Sequence, residues 1–174
     1  MNTRRPQLLL LLSLSLMAAV SNADNTYRLG PGDEIKIQVY EESDLSMSLR
    51  LDQSGTFDYP YLGTVSAKGK TLNQLKTEIT DGLLQDILVS PSVNVSMVIY
   101  RDFYIGGEVK SSGGYPYQPG LTVKQAITLA GGLTEWASSS KFEILREGSK
   151  RPESANNATL VYPGDTITIL EGLF

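Results

Sequence analysis

Apolar and polar positions alternate along this chain in two rhythms, and a turn or a cap introduces each stretch. From Tyr27 the order is Tyr-Arg-Leu-Gly-Pro-Gly-Asp, after which Ile35, Ile37 and Val39 alternate with Glu34, Lys36 and Gln38. A period of two behind a turn predicts a half-buried strand. Pro31 presets φ at the first central position of the turn and Gly32 accepts the positive φ of the second, so a type II turn is expected. Further on, Tyr162-Pro163-Gly164-Asp165 precedes Ile167 and Ile169, with the same turn and the same alternation. Copies of one element therefore stand near both ends of the sequence.

A second echo lies between them. Gly63-Thr64-Val65 leads to Gly69-Lys70-Thr71-Leu72-Asn73-Gln74, and Gly107-Glu108-Val109 leads to Gly120-Leu121-Thr122-Val123-Lys124-Gln125. In each copy the Thr hydroxyl can accept from the backbone N–H three residues on while the Gln reaches back, which is a capping box opening a helix. Leu72, Leu75, Ile79 and Leu83 then share one helical face, as do Val123, Ala126, Ile127 and Ala130. Gly131 and Gly132 suit the end of the second helix.

Between the helices Val93, Val95 and Met97 alternate with Asn94, Ser96 and Val98, and Tyr104-Ile105 follows. These predict two strands around a turn at Arg101-Asp102. Phe142 to Arg146 reads as a short strand, and 148–158 as a polar, turn-rich connection. Two α+β units result, dividing near Tyr100, each a small sheet with one helix packed across it.

The first 23 residues follow neither rhythm. Arg4 and Arg5 precede an apolar stretch from Leu8 to Val20, then Ser21 and Ala23. That is the anatomy of a secretory signal, with cleavage expected between Ala23 and Asp24. The apolar stretch is short of the roughly 20 residues that span a bilayer. A lipid tether would need a Cys at the cleavage site, so none is expected. Removing residues 1–23 takes Arg4 and Arg5 from the 15 basic residues and leaves 13 against 19 acidic, a net charge of −6. A polyanion such as DNA is a poor partner for that surface. Cys and His are both absent, which excludes disulfide scaffolds, Cys nucleophiles, His bases and thiolate or imidazole metal sites.

Four segments together resemble the outer-membrane polysaccharide export proteins, the Wza-like family. They are Leu29-Gly-Pro-Gly-Asp-Glu-Ile, Asp52-Gln-Ser-Gly-Thr-Phe-Asp-Tyr-Pro-Tyr-Leu-Gly-Thr-Val, Gly106-Gly-Glu-Val-Lys-Ser-Ser-Gly-Gly-Tyr and Leu121-Thr-Val-Lys-Gln-Ala-Ile-Thr-Leu-Ala-Gly-Gly-Leu-Thr. The resemblance covers residues 27–171 in the family's order. It implies a signal peptide at 1–23, a polysaccharide-export domain at 24–100 and one β-grasp ligand-binding (SLBB) domain at 101–174. It also implies a periplasmic protein associated with the outer membrane, assembled as a homo-oligomeric ring that helps pass capsule or exopolysaccharide outward. The implied partners are the polysaccharide itself, an inner-membrane polysaccharide co-polymerase, and an outer-membrane β-barrel or other export protein; no nucleic acid and no cofactor are implied. Larger members carry a lipidated Cys, and some add further ligand-binding modules and a C-terminal amphipathic helix that crosses the outer membrane. Neither is found in this sequence, so a short adaptor that relies on another protein for the final crossing is expected.

Catalytic and metal readings are weaker. Asp52, Ser54, Gly55 and Asp58 superficially suggest a calcium loop but lack the alternate-position ligands and the distant Glu of an EF-hand, so a hairpin turn at Ser54-Gly55 is expected. Glu41, Glu42 and Asp44 could be imagined as a glycosidase pair, yet neighbours on a strand point apart. Tyr115, Tyr117 and Trp136 flank the second helix and offer sugar stacking, a subunit interface or plain packing. Arg101, Glu108 and Lys110 could line a channel, pair across subunits or simply be solvated. The alternatives to a ring-forming transport component are a monomeric periplasmic glycan-binding or adaptor module and a glycan-processing enzyme.

Overall fold

A computed structural model describes residues 27–172, and the secretory signal read at 1–23 lies outside the described residues. The N-terminal half forms a three-stranded antiparallel sheet, in which β1 (Glu34–Val39) runs between β2 (Glu42–Arg50) and β5 (Val93–Ile99). Ile35, Ile37 and Val39 face inward and are buried, while Lys36 and Gln38 face out, so the period of two decides the faces. A separate hairpin, β3 (Thr56–Tyr59) and β4 (Gly63–Ser66), precedes α1 (Leu72–Asp86).

The capping box that opens α1 is formed in full: the Thr71 hydroxyl accepts from the Gln74 N–H at 3.2 Å, and the Gln74 side-chain Oε1 accepts from the Thr71 N–H at 2.9 Å. Leu72, Leu75, Ile79 and Leu83 are buried in one cluster with the inward residues of β1 and β5. Each such side chain removed from water contributes about 1.5–3 kcal/mol, which is what holds a helix of this length on its sheet.

The C-terminal half repeats the recipe with a different sheet. It comprises β6 (Phe103–Gly107), β7 (Gly113–Tyr115), α2 (Val123–Leu129), β8 (Ala137–Leu145), β9 (Glu153–Ala155) and β10 (Thr166–Glu171). The strand order is β7-β6-β10-β8-β9, with the central pair β6 and β10 parallel and the other pairs antiparallel. A parallel pair needs a crossover, and α2 lies within it. This is the expected β-grasp arrangement, and the fold class is α+β. The second capping box, Thr122 with Gln125, is also formed. Phe103, Ile105, Val123, Ala126, Phe142, Ile144, Ile167 and Ile169 make a second core, distinct from the first.

Three expectations need correction. β5 and β6 belong to different sheets, and Tyr100–Asp102, read as holding a turn, is a link without a turn between the two halves. At Ser54-Gly55 the chain does turn, with the Asp52 carboxylate accepting from the Gly55 N–H at 3.0 Å, but β3 pairs with β4 and the hairpin closes at 60–62. The turn is closed locally, the Gly55 N–H donating to Asp52, while the Gly55 carbonyl accepts from the Ala67 and Lys68 N–H groups that follow β4. Within 148–158 the short β9 pairs with β8, its one inward residue being Ala155, too brief a run to show a period.

The helix architecture makes a graded prediction. Thr71→Ala should lower stability by about 1 kcal/mol through loss of the cap, and Leu75→Ala by about 2–5 kcal/mol through loss of buried contacts and the cavity left behind. Urea midpoints of the two variants measured against the parent check both the direction and the order.

Candidate functional site

Both Pro-Gly-Asp turns fold identically and converge on Arg101. In the first, the Asp33 N–H donates to the Gly30 carbonyl at 3.2 Å and the Asp33 carboxylate accepts from the Gly30 N–H at 2.8 Å. In the second, Asp165 makes the same two bonds with Tyr162, at 3.2 and 2.8 Å. Gly32 and Gly164 take φ of 92° and 83°, as the second central position of a type II turn requires. Each Asp is buried within its turn, and each is paired with an arginine. Arg146 serves Asp165 at 2.6 Å, within the second half. Asp33 is served by Arg101 from the link.

Arg101 is the meeting point of the two halves. Its backbone N–H donates to one Asp33 oxygen at 2.9 Å and its Nη1 to the other at 2.8 Å. Nη1 also donates to the Tyr27 hydroxyl at 2.5 Å, and that hydroxyl donates to Asp33 at 2.7 Å. Nη2 bonds Glu147 of the second half, while Nε is buried with no hydrogen-bond partner among the described residues. The second turn closes from the other side: the Gly164 N–H donates to the Asp102 carbonyl at 3.0 Å, and the Tyr104 N–H to the Asp165 carbonyl at 2.8 Å. Edge-to-face contacts from Tyr27 to Tyr100 at 5.1 Å and from Tyr100 to Tyr117 at 5.3 Å run beside this joint.

The six residues singled out by sequence fall in two places. Arg101 and Tyr117 are at the joint, and Arg101 makes its ion pairs within the chain. Tyr115 is near them but belongs to the margin of the second core, its ring stacked on Phe103 and its hydroxyl donating to the Ser111 carbonyl at 2.7 Å. Glu108, Lys110 and Trp136 lie at the opposite end of the second sheet, where β6 and β10 finish. There the Glu108 carboxylate accepts from the Thr134 hydroxyl, Lys110 is exposed, and Trp136 is 60% exposed with its carbonyl accepting from Gly172. Asp33, Tyr27 and Glu147 were missed. The signal for Asp33 was present, since a carboxylate fixed inside a buried turn requires a cation nearby.

Among the described residues no catalytic constellation is assembled at either place. Glu41 lies in the β1–β2 turn with a φ of 62°, correcting its expected strand position, and Glu42 opens β2. Among the described residues no three acidic side chains gather as a metal site. The Asp52 carboxyl is held below its ordinary value chiefly by the Ser54 hydroxyl, followed by backbone N–H groups, all within its own turn. The Tyr27 phenol is pushed well above its ordinary value, first by burial and then by its hydrogen bond to the Asp33 carboxylate. Burial pushes Tyr59 and Tyr117 in the same direction.

The joint yields two predictions. Arg101→Ala leaves Asp33 buried without its cation and should cost about 3–5 kcal/mol, with faster chymotryptic cleavage after Tyr100 on limited proteolysis. Tyr27 keeps its proton more tightly folded than unfolded, where a phenol titrates near about 10. Stability from this group is therefore full below that pH and falls as pH rises past it. Alkaline denaturation followed by tyrosinate absorbance should show this slope, and Tyr27→Phe should weaken it while lowering stability at neutral pH.

Comparison with known proteins agrees with this architecture. The family model described as polysaccharide biosynthesis/export protein matches residues 21–98, and that of the SLBB domain matches residues 103–153. The chain is 35% identical over 128 residues to the exopolysaccharide production protein ExoF of Rhizobium meliloti (strain 1021), a match covering 67% of this chain and 30% of ExoF. It is 26% identical over 151 residues to the EPS I polysaccharide export outer membrane protein EpsA of Ralstonia nicotianae (strain ATCC BAA-1114 / GMI1000), covering 71% of this chain and 39% of EpsA. The EpsA of Ralstonia solanacearum is 24% identical over 151 residues, covering 71% and 40%. The chain thus spans less than half the length of each of these relatives. With an export module and an SLBB module in the family's order, the chain belongs to the polysaccharide biosynthesis/export protein family.

Proposed function

We propose that this protein is a non-enzymatic periplasmic component of an exopolysaccharide or capsule export system, associated with the outer membrane. In this reading a polysaccharide-export domain (24–100) and an SLBB domain (101–174) form one subunit of a ring that helps pass polymer outward. An inner-membrane polysaccharide co-polymerase and an outer-membrane β-barrel or other export protein would complete the route. The observation that supports the reading best is the Arg101 joint together with the family match. A closed ring requires every subunit to present its faces at one constant angle, and a joint of buried, mutually hydrogen-bonded groups supplies that constancy. A conduit must also release what it carries, and the net acidic surface suits passage of an acidic polymer without tight binding.

Light scattering of the chain lacking residues 1–23, over a range of concentrations, tests assembly. One closed species of many subunits is expected, and a monomer at every concentration would remove the ring and favour a monomeric glycan-binding or adaptor module. Deleting the gene should abolish extracellular polymer, with restoration by the parent chain and poor restoration by Arg101→Ala. Normal polymer output in the deletion strain would remove the export role itself.

A further inference from the structure

The end of the N-terminal half farthest from Arg101 is built for contact. β1 begins at the joint and finishes at Val39, β2 leaves from Glu42, and the β3–β4 hairpin closes at 60–62. All three reach the same end, and the Tyr59 hydroxyl, donating to the Leu45 carbonyl at 2.7 Å, ties the hairpin to β2. Two tyrosines stand out there, Tyr40 at 72% exposure and Tyr61 at 78%. Among the described residues neither side chain makes a hydrogen bond or ring contact.

A single exposed tyrosine is ordinary, but the backbone beneath this pair is not. Glu41 and Tyr61 take φ of 62° and 64°, and among the described residues they are the only non-glycine residues in the left-handed region. That conformation strains a residue with a Cβ and persists only where its surroundings impose it. Here they do. The register of β1 and β2 jumps from Ile37 opposite Met47 to Val39 opposite Glu42, so β2 carries a large bulge. The Ser46 hydroxyl seals it, accepting from the Val39 N–H at 2.9 Å and lying within 3.0 Å of the Glu42 carbonyl. Bulges of this kind re-aim side chains, and this one leads into a turn bearing Glu41, Glu42 and Asp44 beside Tyr40.

We propose that this tip is a carbohydrate-contact site for neutral glycan chains, with Tyr40 and Tyr61 as stacking platforms and Glu41 and Glu42 as acceptors for sugar hydroxyls. An aromatic face packs against the C–H side of a pyranose while a carboxylate accepts hydrogen bonds from its hydroxyls. Three carboxylates at the same end repel uronate or pyruvylated stretches, so the site selects the uncharged parts of a polymer. The choice of glycan as ligand class rests on the export reading above; the presentation of the tip does not.

Affinity electrophoresis of the chain lacking residues 1–23 tests it, in native gels cast with hydroxyethyl cellulose or dextran as neutral probes and with polygalacturonate as the acidic one. Retardation is expected in a neutral gel and not in the acidic one. Tyr40→Ala and Tyr61→Ala should each weaken retardation about two- to tenfold and together remove it, whereas Tyr40→Phe with Tyr61→Phe keeps the flat faces and should retain it. Unchanged urea midpoints show that the alanine variants are folded. Retardation in neither neutral gel, or retardation indifferent to the double alanine variant, would overturn the tip site. That result leaves the export reading to stand or fall on the deletion strain, which reports it separately.

Discussion

The buried ion pair between Asp33 and Arg101 is the constraint on which the arrangement of the two halves depends. Asp33 is fully buried because its turn needs the carboxylate to accept from the Gly30 N–H. A carboxylate so placed cannot remain charged at acceptable cost unless a cation and further donors reach it. Arg101 supplies two donors, one from its backbone and one from its guanidinium, and Tyr27 a third. Because Arg101 belongs to the link, satisfying the turn of the first half also fixes where the second half begins. Buried ion pairs are weak evidence for stability and better evidence for a specified geometry, and the joint is best understood in those terms.

Each half is one supersecondary recipe executed with different lengths. A capping box starts a helix whose apolar face covers a sheet, and a Pro-Gly-Asp turn launches a strand with period two. In the first half α1 has 15 residues and covers a purely antiparallel sheet; in the second α2 has 7 and covers a mixed one. A helix of two turns cannot stand alone in water. The second cap and the burial of Val123, Ala126 and Ile127 therefore matter relatively more to α2 than the corresponding features do to α1.

Much of this was legible because its causes are local. The strand periodicities, both turns and both capping boxes depend on residues fewer than ten apart, and the helix faces follow from spacing alone. The joint was not legible, although Arg101 was named, because its partners Tyr27, Asp33 and Glu147 lie 74, 68 and 46 residues away. Nothing local distinguishes an arginine that will be buried from one that will be solvated. The same limit explains the hairpin expected at Ser54-Gly55: small polar residues announce a turn, but which strands it joins is decided by tertiary pairing. Tyr40 and Tyr61 carry no local signal, because exposure and a positive φ are properties of the fold.

The joint and the tip answer opposite demands on one chain. At the joint, polar groups are withdrawn from water and bonded to one another, which favours a single relative placement of the halves. At the tip, two rings are left in water and the backbone is strained at Glu41 and Tyr61, which costs stability that the sealed bulge and the Tyr59 anchor must offset. A protein that only had to fold would relax the second arrangement, since glycine at Glu41 or Tyr61 would remove the strain. Retaining a side chain at both positions is intelligible if the tip has to touch something that moves past it. A rigid joint then keeps that contact in a fixed place relative to the second half.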